Sequence, residues 1–395
     1  MDRQKLRRGC TTGTCAQGAA KAAAELLFGI REAEETEVWV ELPKGERRSL
    51  RIRDIKIEYK ETKKFPVAVS CAVKKDSGDD PDITDGVLVY SKVRRTPGTG
   101  PGRTVTIDGG AGIGRVTKPG LDQPVGAAAI NRVPRQMILK EVEIICGEVG
   151  YEGGISVELS IPGGGELAKR TFNPRLGIEG GLSILGTSGI VEPMSEQAIL
   201  DTIYLEMKVK LAGQATGRKC LVMAPGNYGL EFLEKAYGIQ EAQVVKCSNF
   251  IGQSVDMARE LGCGGLLLAG HIGKLVKVAG GIMNTHSAWA DCRMEILSAA
   301  ALRAGLPAKK ARELLACVTA DDALSKCSAD ERRLLMGQVM EKMMQYLRLR
   351  AGEDLAVEAV TFSKVYGILG KSAGADEMAS LGFKPGERAI LMDNE

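Results

Sequence analysis

The 395-residue chain is poor in histidine, with two, His271 and His286. A structural or catalytic zinc site needs closely spaced Cys and His ligands. These two lie fifteen residues apart, and the ten cysteines nowhere form a Cys-x-x-Cys pair, so no metal site is expected. Scattered cysteines without a secretory context read instead as reduced, mostly buried thiols. Aromatic residues are also scarce. Two tryptophans, eight tyrosines and seven phenylalanines leave few platforms on which single strands could stack, and a net charge of +3 gives no support to nucleic-acid binding. No window approaches the ~20 uninterrupted apolar residues of a membrane span, and no apolar signal core follows Met-Asp-Arg-Gln-Lys-Leu-Arg-Arg at the start. These absences predict a cytoplasmic protein with no nucleic-acid and no membrane partner.

What is present is a chain with 44% apolar residues and 49 glycines. Its length predicts two domains with ample core. Near the amino terminus, Thr11, Thr12 and Thr14 surround Gly13 ahead of an alanine-rich helix that should end at Gly29. Free N–H groups, the positive helix end and small hydroxyls make an anion cradle; simple capping by Thr12 or Thr14 explains the same residues equally well. From residue 36 to about 160, short alternating runs predict a mixed or antiparallel sheet. They include Glu37–Leu42, Leu50–Ile57, Phe65–Val73, Gly86–Tyr90, Arg103–Asp108 and Gly154–Leu159. With the helix they make an α+β domain over residues 1–190. Two loops interrupt it. Asp76–Gly86 gathers carboxylates without the spacing of an EF-hand and reads as a solvated turn. Asp108–Gly120 is rich in glycine but does not open a helix, as a dinucleotide fingerprint must, and so reads as a flap carrying Arg115 and Lys118 toward an anionic ligand.

Glycines between residues 160 and 190 mark a hinge, and the period then changes. A helix from Ser195, strand Lys219–Ala224, turn Pro225–Gly229, helix Leu230–Tyr237, strand Ala242–Cys247, helix Gln253–Leu261 and strand Leu266–Leu268 give a β-α-β-α-β order. That order predicts a parallel sheet with right-handed crossovers, a Rossmann-like α/β domain over residues 191–395. Thr319-x-x-Asp322 and the capping box Ser328-x-x-Glu331 open later helices, and Leu355–Val360 and Arg388–Met392 are further strand candidates. Three loops follow successive strands: Gly226-Asn-Tyr-Gly229, Ser248-Asn249 and Gly270-His-Ile-Gly-Lys274. In an open parallel sheet such loops converge on one edge, where nucleotide-type ligands bind. An adenosine-type ligand at Gly226, Asn227, Gly229, Asn249, Gly270, His271, Gly273 and Lys274 is the expectation, and spacing alone does not separate NAD from S-adenosylmethionine. Beyond lie Asn284, Thr285 and His286, which are either polar site residues or caps of a helix in the Ser287–Leu302 segment.

Six blocks, in chain order, add a resemblance. Arg8-Gly-Cys-Thr-Thr-Gly-Thr-Cys-Ala16, Gly78-Asp-Asp-Pro-Asp82, Gly112-Ile-Gly-Arg-Val-Thr-Lys-Pro-Gly120, Ala129-Ile-Asn-Arg-Val-Pro-Arg135, Gly186–Ser195 and Gly270–Lys277 with Asn284-Thr-His286 closely resemble the cobalt-precorrin-5B C1-methyltransferase (CbiD) family of anaerobic cobalamin biosynthesis. Cys10 stands where that family's pattern has an aromatic. The resemblance implies methyl transfer from S-adenosylmethionine to C1 of a cobalt-containing tetrapyrrole. A macrocycle bearing many carboxylates would suit the first domain, with Thr11, Thr12, Thr14, Asp79, Asp80, Arg115, Lys118, Arg132 and Arg135, and with Asn284 and Thr285 on the substrate side. His286 is then the candidate proton acceptor. An NAD(P)-dependent oxidoreductase using the same sheet edge and a non-catalytic tetrapyrrole carrier are the competing readings. A homo-oligomer and transient contacts with other pathway enzymes are both left open.

Overall fold

The computed structural model describes residues 6–60, 65–97, 104–214, 217 and 219–381. The chain is mixed α/β, with several sheets and twelve α-helices among the described residues, and it divides into two compact units, Met1–Ser195 and Glu196–Glu395. Arg103 and the Arg388–Met392 strand candidate lie outside the described residues.

The first unit is built on six strands: β1 (Glu37–Glu41), β2 (Arg47–Tyr59), β3 (Pro66–Lys74), β4 (Leu88–Thr96), β5 (Val105–Gly109) and β6 (Gly154–Ser160). Their order across the sheet is β1-β2-β3-β4-β6-β5, antiparallel except for the parallel β5–β6 pair. Two helices, α1 (Thr12–Phe28) and α2 (Arg132–Glu148), cover one face. Alanines let α1 lie close on the strands, and its burial is nearly complete because the sheet takes one side and α2 another. The two helices run parallel, with Gly13 against Pro134 at one end and the Phe28 and Tyr151 rings 5.0 Å apart at the other. Between them Gln17 donates to Glu141 (2.9 Å), whose buried carboxylate also meets Lys21 at 3.1 Å.

The second unit carries β7 (Cys220–Ala224), β8 (Val244–Lys246), β9 (Gly265–His271), β10 (Ala356–Ser363) and β11 (Gly367–Lys371) in the order β8-β7-β9-β10-β11. The first four are parallel and the last is antiparallel. β7 and β9 are apolar on both faces because helices pack on both. On one side are α3 (Glu196–Ala212), α5 (Ile251–Glu260), α7 (Arg293–Arg303) and the long α9 (Ala329–Ala351). On the other are α4 (Asn227–Tyr237) and α10 (Ala375–Leu381). The short α6 (Ile272–Leu275) follows β9 directly, and α8 (Ala320–Ser325) precedes α9. Thr319 caps α8 through the Asp322 N–H, and Ser328 with Glu331 forms a reciprocal capping box at the start of α9.

Four of the departures from the sequence expectation have a clear local cause. Pro225–Gly229 is not a free turn: α4 begins at Asn227, and Gly226 is its cap residue. The expected strand from Ala242 is shortened to Val244–Lys246, because Glu241–Gln243 forms a 3₁₀ turn held by reciprocal Gln240 and Gln243 bonds. Thr11, not Thr12 or Thr14, caps α1. The helix expected within Ser287–Leu302 starts at Arg293 after Cys292 in a left-handed conformation (φ 49°), so neither Asn284 nor Thr285 caps it.

Candidate functional site

Strand order directs the second unit's loops to one edge. From β7 the chain passes to β8 on one side and then to β9 on the other, so the crevice between the carboxyl ends of β7 and β9 is a point where the winding reverses. Open α/β sheets bind ligands at such points. Gly226 and Asn227 stand at the end of β7, with Gly270 and His271 at the end of β9. No side chain caps α4, so its amino-terminal N–H groups and positive end face outward from the strand ends. Gly229 permits this junction: a Cβ there would stand 2.7 Å from Ala224 Cβ and 3.0 Å from the Ala269 carbonyl. Lys274 closes the crevice from α6 by donating to the Pro225 carbonyl (2.8 Å). Burial lowers its ammonium pKa, while Cys247 opposes the shift; the fully buried Cys247 thiol is itself pushed up to about 12.

His271 is fixed rather than free. Its Nδ1 accepts the Gly273 N–H (3.1 Å), which assigns the proton of the neutral ring to Nε2. Nε2 faces Asp321 Oδ2 at 3.5 Å, and the other Asp321 oxygen accepts from Ser363 Oγ (2.6 Å). Burial lowers the imidazole pKa, and the Asp321 charge partly offsets that. Tyr228 and Phe362 bracket the ring edge-on at 6.0 and 5.7 Å, and Lys364 sits 3.5 Å above the Tyr228 ring. Asp321, Tyr228, Phe362, Ser363 and Lys364 were not singled out in the sequence. The end of β10 and the helix α8 bring four of them in from far along the chain, and the Thr319-x-x-Asp322 cap signal was the only local pointer.

A second polar group lies after β8. The Asn249 carbonyl accepts the Thr285 N–H (2.9 Å), Thr285 Oγ1 lies 3.3 Å from Asn249 Oδ1, and Phe250 bridges to Asn284. Thr285 is buried, whereas His286 is exposed, its Nδ1 accepting the Ala288 N–H at 3.1 Å. The buried Lys277 holds this loop through the Thr285 (3.2 Å) and Ala290 (2.8 Å) carbonyls.

In the first unit the residues expected to receive an anion are largely engaged by the chain itself. Thr11, Thr12 and Thr14 are buried. Thr14 Oγ1 donates to the Gly189 carbonyl (2.6 Å), Thr12 Oγ1 reaches the Ser183 and Leu185 carbonyls, and the Gly13 N–H takes Leu185 O. The cradle at the start of α1 is therefore filled by residues 183–189, a correction to its reading as an open anion site. The glycine-rich loop is no flap either. Gly112 has φ 75°, and a Cβ there would lie 1.9 Å from the Ile161 carbonyl, so the loop is packed backbone to backbone. Arg115 forks onto Asp108 (2.8 and 3.2 Å), and Arg135 gives its donors to the Ile107, Ile130 and Ala128 carbonyls. Lys118 and Arg132 remain exposed. Asp79 accepts the Arg7 N–H (2.6 Å) and Asp80 the Met194 N–H (3.0 Å). Asp82 holds the buried Lys75 (2.7 Å), whose bond together with those from Thr84 keeps the carboxyl below its ordinary pKa despite burial. The acidic loop is thus a structural brace, and among the described residues no group of His, Cys, Asp and Glu is arranged to hold a metal ion.

Comparison with known proteins bears on both units. Residues 1–193 match the CbiD family and residues 284–373 match the CbiD C-terminal domain. A protein of Ruminiclostridium cellulolyticum is 44% identical over 91% of this chain and 90% of its own length, and one of Moorella thermoacetica is 47% identical over 80% and 81%. Both bear the name cobalt-precorrin-5B C(1)-methyltransferase. A crystal structure of a cobalamin biosynthesis protein (cbiD) from Archaeoglobus fulgidus is similar at 27% identity, covering 70% of this chain and 80% of that one, with a TM-score of 0.37.

Proposed function

This chain belongs to the CbiD family, and from that premise we propose that it is an S-adenosylmethionine-dependent C-methyltransferase that methylates C1 of cobalt-precorrin-5B, giving cobalt-precorrin-6A in anaerobic cobalamin synthesis. The observation that carries the reading is similarity over about nine-tenths of the chain to relatives of that name. We read residues 1–190 as the macrocycle-binding part and residues 191–395 as a Rossmann-like part for the methyl donor. The compartment in keeping with ten cysteines outside any disulfide is the cytoplasm.

The crevice at the ends of β7 and β9 supports the donor assignment. The uncapped start of α4 suits the donor's amino-acid carboxylate, and Gly226 leaves room beside it, with Lys274 Nζ 3.9 Å from where a Cβ would stand. Tyr228 and the Asn249–Thr285 pair offer an aromatic face and hydrogen-bonding groups for an adenosine. S-adenosylmethionine supplies a methyl on a sulfonium, so the sulfur–carbon bond breaks as the carbon–carbon bond forms and the sulfur leaves neutral. The protein then has to align nucleophile and methyl and exclude water, and no covalent nucleophile is required. His271, bonded at Nδ1 and facing Asp321 at Nε2, acts as a positioning residue. The exposed His286 is assigned as proton acceptor for the methylated ring system.

Mass spectrometry of cobalt-precorrin-5B incubated with the full chain and S-adenosylmethionine tests the reading, with a one-methyl increase as the expected result. No increase, with bound corrinoid recovered intact, leaves a carrier. His286→Ala should lower the rate at saturating substrate, and an unchanged rate removes the proton-acceptor role.

A further inference from the structure

Strand β2 changes partners midway. Its residues 47–51 pair with β1, from Arg47↔Glu41 to Arg51↔Glu37, and from Ile52↔Val73 onward it pairs with β3. At the changeover the chain leaves β3 through Lys74 and Lys75, and the Cys10 N–H reaches the Asp76 carbonyl (2.8 Å). A cleft of about 640 Å³ opens there, lined by these stretches and by Arg7 to Cys10. Seven basic side chains and two carboxylates border it, an imbalance that sequence reading did not register because the cations come from three separate segments.

Most of these charges are already matched. Arg7 forks onto Asp76 (2.5 and 2.8 Å), holding that carboxyl at about 2, and Arg8 lies 3.3 Å from Glu192. Lys75 is held by Asp82, and Asp85 accepts the Ser77 N–H (2.8 Å). Arg48 meets Glu46 at 2.8 Å, yet its Nε is buried with no hydrogen-bond partner. Arg51, Arg53 and Lys74 are exposed and have no ion-pair partner among the described residues. The cleft therefore keeps three unmatched cations, while the arginines expected to grip a substrate, Arg115 and Arg135, are bonded internally.

We propose that this cleft binds the carboxylate arms of a polycarboxylate ligand, with Arg51, Arg53 and Lys74 as the binding groups. On the preceding functional reading, on which this inference rests, the arms are the acid side chains at the rim of the tetrapyrrole. The size lies within the ordinary range of ligand sites, but the wall is charged rather than apolar, which suits the periphery of a macrocycle and not its face. Guanidinium forks match carboxylates bidentately, and Lys74 adds a point charge.

The test uses the full chain and two probes: a cobalt corrin with free carboxylate arms, and the same corrin with those arms converted to methyl esters. Calorimetry should show the acid bound at least about tenfold more tightly than the ester, with Arg51→Ala and Arg53→Ala each costing about tenfold for the acid alone. The preference should also weaken at high salt. Both arginines are exposed, so melting temperatures should stay close to that of the unaltered chain. Acid preference that persists in the double variant overturns the cleft and leaves the methyltransferase reading intact. Equal binding of acid and ester, while one-methyl product still forms on cobalt-precorrin-5B, overturns it likewise. Absence of both corrin binding and product overturns the functional reading and the inference together.

Discussion

The two units treat their glycines, hydroxyls and cations in opposite ways. In the second, Gly226, Gly270, His271 and Lys274 stand at the open ends of adjacent parallel strands, where the winding of the sheet leaves a crevice. In the first, equally suggestive residues turn inward: Thr12 and Thr14 bind residues 183–189, Gly112 packs on Ile161, and Arg115 and Arg135 bond within the unit. A motif at a parallel strand's carboxyl end is exposed to ligand by topology. A motif at a helix start is exposed only if no other segment arrives to fill it, and here one does.

The contrast makes measurable predictions. The largest effect should come from Gly112→Ala, which must place a Cβ 1.9 Å from a backbone carbonyl at a positive φ. The full chain should lose about 3 kcal/mol or more in urea unfolding, and an unchanged midpoint would mean that the loop is a movable flap after all. Thr14→Val comes next. It removes a fully buried hydroxyl that donates to the Gly189 carbonyl and should cost about 1–2 kcal/mol of stability without altering affinity for the tetrapyrrole. Altered affinity with stability preserved would restore the anion cradle.

The smallest effect concerns pH in the second unit. Burial lowers the His271 pKa in the folded state, so the unfolded chain takes up that proton at higher pH. The residue's contribution is whole above the ordinary imidazole value of 6.5 and declines as pH falls through it toward the lowered folded value. Asp321→Asn removes the charge that opposes the shift, so the variant should lose more stability than the parent on acidification across that window. Equal losses would show that Asp321 does not sense the ring.

Much of the fold was legible because its signals are local. The apolar runs at Cys220–Ala224 and Gly265–His271, the cap at Thr319 and the box at Ser328 each declare themselves within a few residues. The loops at the sheet edge followed from the order of strands and helices. What was not legible depends on distant segments meeting: Asp321 and Ser363 beside His271, residues 183–189 over the start of α1, and the basic cleft where β2 exchanges partners. Asn284 and Thr285 show the same limit, since their partners are Phe250 and Asn249 across the loop and not the helix that follows them.

The central claim is that the crevice between β7 and β9 holds the methyl donor. Calorimetric titration of the full chain and its Lys274→Ala variant with S-adenosylhomocysteine, and separately with NAD, tests it most directly. The account predicts binding of S-adenosylhomocysteine, weakened about tenfold by loss of the Lys274–Pro225 tie, and no binding of NAD. Binding of NAD in its place, or S-adenosylhomocysteine affinity indifferent to Lys274, would contradict it.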